Sequence, residues 1–234
     1  MKRQDLKALK ALAVILLGAL TVKITVWPLI ADIKFKSGLK AMSLMEYEKA
    51  ESDFKIAINY RKEPVYYENL AALYRTMGET AKDRNTGRRH YEQSVYFYKK
   101  LLELNPGNSL VYNGLGATCL YIGKDFKEDE FYRSAIDNFK KALDLKPGFV
   151  EAELNLATAY YLWGLKAEAV KVYENLEKDN PDNISARFNL GLLYFMEKDY
   201  TKAEQKWRDI LKIAPENIDA QKGLEMLNKK RGEK

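Results

Sequence analysis

The chain has 234 residues, 47% of them hydrophobic and 31% charged, a balance that excludes a disordered chain and a multi-span membrane protein. Its net charge of +6 is concentrated at one end: residues 1–31 hold five bases (Lys2, Arg3, Lys7, Lys10, Lys23) against Asp5. That leaves +2 for the rest, which excludes an electrostatic footprint for nucleic acid, and the single Cys119 excludes an internal disulfide framework or a cysteine-rich metal site.

The first element spans Ala11–Ile30, apolar apart from Lys23. As a helix it is about 30 Å long, the thickness of a bilayer core. A lysine at mid-membrane costs about 2.5–3.5 kcal/mol, whereas one nearer an end can snorkel. Trp27 suits an interfacial belt, and Pro28 is expected to break the helix. No A-x-A-like cleavage site follows, so residues 1–30 read as an uncleaved membrane anchor. The alternatives are a cleaved leader, with a mature chain starting near residue 32, and a helix packed on the rest of the chain or on a partner's membrane helix. The basic start favours a cytoplasmic N-terminus, with the remainder outside the cytoplasm, most simply on the periplasmic side of a bacterial inner membrane. Lys34, Lys36 and Lys40 on the far flank blunt that bias.

From residue 31 the chain repeats itself. Pro147, Pro181 and Pro215 are 34 residues apart, and so are Leu156 and Leu190, Tyr160 and Tyr194, and Ala169 and Ala203. Each unit holds two apolar-periodic stretches of helical length around a short turn. The pattern of Leu, small residue and Tyr, then Ala, an aromatic, an aliphatic and Pro, resembles the tetratricopeptide repeat family. In the fourth unit it is Leu156, Ala157, Tyr160, Ala169, Tyr173, Leu176 and Pro181; in the fifth, Leu190, Gly191, Tyr194, Ala203, Trp207, Ile210 and Pro215. The third unit keeps Leu115, Gly116, Ala135, Phe139, Ala142 and Pro147, with Cys119 at the Tyr position and seven extra residues between its helices. The second keeps Leu70, Ala71, Tyr74, Ser94, Tyr98, Leu101 and Pro106, with eleven extra; the first keeps Gly38, Ala50, Phe54 and Ala57.

The expected fold is therefore all-α: a right-handed superhelical solenoid of about five helix-turn-helix repeats, at 31–63, 64–108, 109–149, 150–183 and 184–217, with a closing helix at 218–229. No single hairpin can bury its apolar stripe alone, so the units must stack.

Catalytic chemistry finds no foothold. His90 sits in the polar stretch ETAKDRNTGRRHYEQ and reads as a solvated loop histidine, while Cys119 falls where a helix packs. No Gly-rich phosphate loop is present, and no cofactor, metal or small-molecule substrate is expected. The chain reads as non-enzymatic.

Function then rests on surfaces. In the family, first-helix residues beside the packing positions line the inner groove. The resemblance assigns that lining to Asn113, Ala117, Leu120 and Tyr121; to Leu154, Asn155, Thr158, Tyr161 and Leu162; and to Phe188, Asn189, Leu192, Phe195 and Met196. So apolar a surface implies either a protein partner held in the groove or a neighbouring segment of the chain, the N-terminal or the closing helix, that fills it. The two insertions differ in sign: AKDRNTGRRH (81–90) is basic through Arg84, Arg88 and Arg89, and KDFKEDE (124–130) is acidic through Asp129 and Glu130. They are expected to form solvated turns on one rim, or a rim that docks a partner by charge. The reading is a membrane-anchored adaptor that assembles or stabilises a protein complex; the alternative is an accessory subunit whose N-terminal helix packs against an enzyme's or transporter's membrane helices.

Overall fold

The computed structural model describes residues 3–232, with side chains from Leu12 onward. The expectations resting on Lys2, Arg3, Asp5, Lys7 and Lys10 lie outside those side chains. All regular structure among the described residues is helical, and the chain divides into two compact units, Met1–Pro106 and Gly107–Lys234.

Unit 1 begins with α1 (Arg3–Thr21), a π-helical turn (Val22–Val26) and α2 (Trp27–Ser43), which form one continuous helix. Pro28 does not break it. A proline lacks an N–H and its ring crowds the carbonyl one turn back; the wide turn just upstream, where the Trp27 N–H reaches back to the Val22 carbonyl, makes the room. From Leu12 to Ser43 the helix is long and apolar enough to cross a membrane by length and composition, with a mean hydropathy of 2.0 in its most apolar window. Its side chains from Leu12 to Trp27 are exposed, and burial begins at Pro28 and is complete at Ala31.

α2 then doubles as the first helix of the first repeat. It packs antiparallel on α3 (Tyr47–Tyr60), where Ala31, Ala41, Ala50 and Ala57 bring the two backbones together. At Gly38 a β-carbon would stand 2.6 Å from the Phe54 ring, so only glycine fits beneath that aromatic. α4 (Pro64–Glu79) packs on α3 and on its own partner α5 (Arg84–Leu104).

Unit 2 contains α6 (Ser109–Phe126), α7 (Asp129–Leu145), α8 (Val150–Leu162), α9 (Lys166–Asp179), α10 (Ile184–Met196), α11 (Tyr200–Ile213) and α12 (Ile218–Gly232). The recurring Pro-x-Asn has a local cause. Asn108, Asn183 and Asn217 each accept a hydrogen bond from a first-turn backbone N–H, at Leu110 and Val111, at Ala186 and at Ala220, so each Asn starts the next repeat's first helix. Hairpin turns pass through a left-handed residue, which is Gly164 in one repeat and Lys198 at the equivalent place in the next.

The insertions are not loops. The seven extra residues of the third repeat lengthen α6 and α7, and the eleven of the second mostly lengthen α5. Seven and eleven residues are close to two and three helical turns, so the facing stripes stay in phase. Each long hairpin thereby gains one more layer of the same contact: Gly78 under Tyr91, and Gly123 against Tyr132. His90 consequently lies on α5, its ring stacked on Tyr74 at 6.0 Å, and not in a solvated loop.

Candidate functional site

The inner surface of unit 2 is built by α6, α8 and α10, whose buried positions fix which residues remain outside. In α8, Leu156, Ala157 and Ala159 turn inward, and in α10 Leu190, Gly191 and Leu193 do the same. Between these helices and α9 lies a cavity of about 200 Å3 lined by Thr158, Tyr161, Leu162, Tyr173, Asn189, Leu192 and Leu193. Its base is a directed hydrogen-bond chain. The Thr158 hydroxyl donates to the Leu154 carbonyl at 2.9 Å, so the Tyr173 hydroxyl, 3.0 Å away, donates to Thr158, and the Asn189 amide lines the cavity beside them. Burial pushes the Tyr173 phenol upward and keeps it neutral, able to donate. The cavity is thus apolar on its walls with a polar floor, suited to an aliphatic or aromatic side chain carried by a protein segment.

The structure distributes the sequence-expected lining unevenly. Thr158, Tyr161, Leu162, Asn189 and Leu192 meet at the cavity. Leu154 and Tyr161 also pack on the α8–α10 core. Asn113 is buried, donating to Glu151 at 2.9 Å and accepting from Asn155 at 3.0 Å, so its hydrogen-bonding capacity goes to the fold. Ala117, Leu120 and Tyr121 are half-buried on α6, with Lys124 over the Tyr121 ring at 5.5 Å. Phe188 and Phe195 lie 6.2 and 5.8 Å from Trp207, and together with Leu192 they pack against the cluster that includes α12. Both rings, expected in the groove lining, are half-buried and also pack on the fully buried indole of Trp207. Met196 is exposed at the end of α10.

The rim residues have individual settings. Asp129 and Glu130 are exposed in the first turn of α7, where carboxylates complement the helix dipole. Arg84, Arg88 and Arg89 occupy the start of α5, which has no acid in its first turn; Arg88 donates to Glu92 at 2.9 Å and Arg89 to the Thr86 hydroxyl. Beside them in unit 1 lies a polar cavity of about 410 Å3 bounded by Glu51, Lys55, Tyr74, Arg89 and His90, a setting that sequence reading missed because it placed His90 in a loop. A half-buried charge group also escaped it: Glu177 accepts from Arg187 at 2.9 Å and from Lys206 at 2.5 Å, linking three helices of unit 2. Burial raises that carboxyl, the two cations outweigh burial, and the net shift is downward. Among the described residues no group of three or more His, Cys, Asp or Glu is placed to hold a metal ion.

Two family descriptions, both of the tetratricopeptide repeat, match residues 126–187 and 164–218. The uncharacterized protein ycf37 of Cyanophora paradoxa is 32% identical over 121 residues, half of this chain; the match spans 60% of that protein's length. Among solved structures, TTC0263 of Thermus thermophilus, a thermophilic TPR protein, superposes with a TM-score of 0.64 at 17% identity, over 84% of this chain and 98% of that one. YrrB, a TPR protein with an unusual peptide-binding site, gives 0.58 at 16% identity over 88% and 97%. Pseudomonas aeruginosa pilF gives 0.62 at 19% over 86% and 83%. At these identities the structures share the fold.

Proposed function

We infer that this chain, which belongs to the tetratricopeptide repeat family, is a non-enzymatic protein–protein interaction adaptor held at a membrane. The observation that carries the reading is the apolar cavity of unit 2, with Leu162 37% exposed at its edge and the Tyr173–Thr158 hydroxyl pair and the Asn189 amide at its base. A site of that composition recognises an apolar side chain on a partner's helix or extended segment, with the hydroxyl–amide floor to orient it. That YrrB is described as having a peptide-binding site makes a peptide-like occupant a natural choice for this fold. Residues 1–30 would supply the anchor, in keeping with the naked apolar helix from Leu12, and the repeats from residue 31 the binding array. We place the repeats outside the cytoplasm on the charge asymmetry of the sequence, and assign the complex served to the membrane that holds the anchor.

A photo-crosslinking residue at Leu162 tests this reading in native membranes, with one at Lys171, on the exposed side of α9, as the reference. Adducts to a discrete protein at position 162 and none at 171 support the groove; equal labelling at both positions contradicts it.

One observation favours the second reading, an accessory subunit of a membrane enzyme or transporter. Leu29 and Ile33 are 60% and 57% exposed on α2, extending the apolar surface of the anchor past Trp27. A partner helix lying along that stripe would bury it. Replacing residues 12–26 by an unrelated apolar span abolishes assembly in that case and leaves it intact for a simple tether.

A further inference from the structure

The contacts within unit 1 fix which of its ends lies where the exposed apolar helix joins it. Trp27 meets Tyr60 edge-on at 5.9 Å, the Lys34 ammonium donates to Asp53 at 2.8 Å, and Gly38 lies under Phe54. These pairs run α3 antiparallel to α2. The Tyr66 hydroxyl donates to Asp32 at 2.6 Å, which sets the start of α4 at the same level. The turn Arg61–Glu63 therefore sits beside Trp27, where the exposed apolar helix ends and burial begins. The turns at 44–46 and 80–83 lie at the other end of the unit, roughly 25 Å away along α2.

What gathers at the near end has the composition of a membrane interface. Trp27 is 37% exposed, with the Lys23 ammonium 5.7 Å from its ring centre. Arg61 and Lys62 are exposed; Arg61 contacts Glu63 through Nε, and Lys62 pairs with no acid among the described residues. Val65 and Leu29, both well exposed, add apolar surface at the same level. Amphipathic aromatics, cations and exposed aliphatics on one rigid end match the headgroup layer of a bilayer.

We propose that this end of unit 1 is a lipid-facing collar, in which Trp27, Tyr60, Arg61 and Lys62 seat the first repeat directly on an anionic bilayer surface. The inference rests on the membrane-anchor reading above. Because α1 and α2 form one unbroken helix, seating fixes the orientation of the unit: the 61–63 turn meets headgroups, and the 44–46 and 80–83 turns, with the basic start of α5, point into the aqueous phase. A flexible tether would leave every face of the unit equally free; the collar reserves the far end for partners.

The full-length chain in vesicles of phosphatidylcholine and phosphatidylglycerol tests this. A fluorophore is attached to Asn59→Cys at the near end or Ser43→Cys at the far end, the native Cys119 being buried, and headgroup nitroxide lipids serve as quencher. Strong quenching at 59 and little at 43 is expected, with the difference reduced when phosphatidylglycerol is omitted and in Arg61→Glu/Lys62→Glu. Equal, weak quenching at both sites in protein that floats with the vesicles overturns the collar while leaving the anchor standing. Quenching at 59 that ignores lipid charge and the Arg61/Lys62 reversal overturns the assignment to an anionic surface. Protein that does not float overturns the anchor reading and the collar with it.

Discussion

The hairpins α6–α7 and α10–α11 carry the same repeat phrase at different lengths. In the short one, Gly191 admits the Trp207 indole, a β-carbon there lying 2.6 Å from Nε1. In the long one, Gly116 admits Phe139 at 2.7 Å, and seven residues further out Gly123 meets Tyr132 at 3.1–3.2 Å. The contrast separates two properties that a regular repeat confounds. Stacking is set by the small-residue-under-aromatic contact, while hairpin length is free to grow by whole turns provided each turn brings its own contact. The outer layer is also looser than the inner one.

The largest effect is expected at Trp207, which is fully buried and touches Gly191, Gly223, Phe188 and Phe195. Trp207→Ala is expected to cost about 3–5 kcal/mol, read in urea melts. An effect below about 1 kcal/mol would show that α10–α12 do not depend on this indole. Next in size, Gly116→Ala should cost about 1–3 kcal/mol by overpacking against a buried ring, and Gly123→Ala distinctly less. Equal losses would mean the added layer is as tight as the original one. Ala169→Leu and Ala203→Leu, at fully buried crossings, belong with Gly116→Ala at about 1–3 kcal/mol, and unchanged melting would refute the 34-residue register.

Charge supplies a smaller and pH-dependent effect. Glu177, between Arg187 and Lys206, has its carboxyl held below the ordinary value of 4.5. Its contribution is complete above that value and is lost as pH falls through the lower folded-state value. Glu177→Gln is therefore expected to flatten the acid limb of a stability–pH profile below pH 4.5 and to cost about 1–2 kcal/mol at pH 7. An unchanged acid limb in the variant would exclude the carboxylate as its source. The smallest expected change is a gain: α5 opens with Arg84 and no acid in its first turn, so Arg84→Glu should stabilise by about 0.3–1 kcal/mol at low salt. A loss on making that substitution would mean Arg84 serves the fold.

These particulars show what the chain makes legible. Leucine, alanine and aromatic positions recurring at 34 residues specify the stacked hairpins, because their burial leaves little choice of partner. The insertions misled because DRNTG and KEDE are polar, and polarity reads as loop; the signal available was Gly78 and Gly123, each seven residues after the small residue of its own repeat. Pro28 misled because the break a proline causes was absorbed upstream, in a stretch whose residues look like ordinary helix. The cavity was legible in outline, since Thr158, Tyr161, Leu162, Asn189 and Leu192 meet there. The roles of Asn113, Phe188 and Phe195 were not, because whether a half-buried ring faces a partner or its own repeat depends on which aromatic fills the next hairpin, and here it is an indole.

The central claim, a groove that holds a partner, is tested most directly by purifying the chain from native membranes after mild crosslinking, comparing wild type with Leu162→Glu. The account predicts that a partner recovered stoichiometrically with the wild type is lost from the variant while helicity and melting stay unchanged. The same partner in the same amount on both proteins would contradict it.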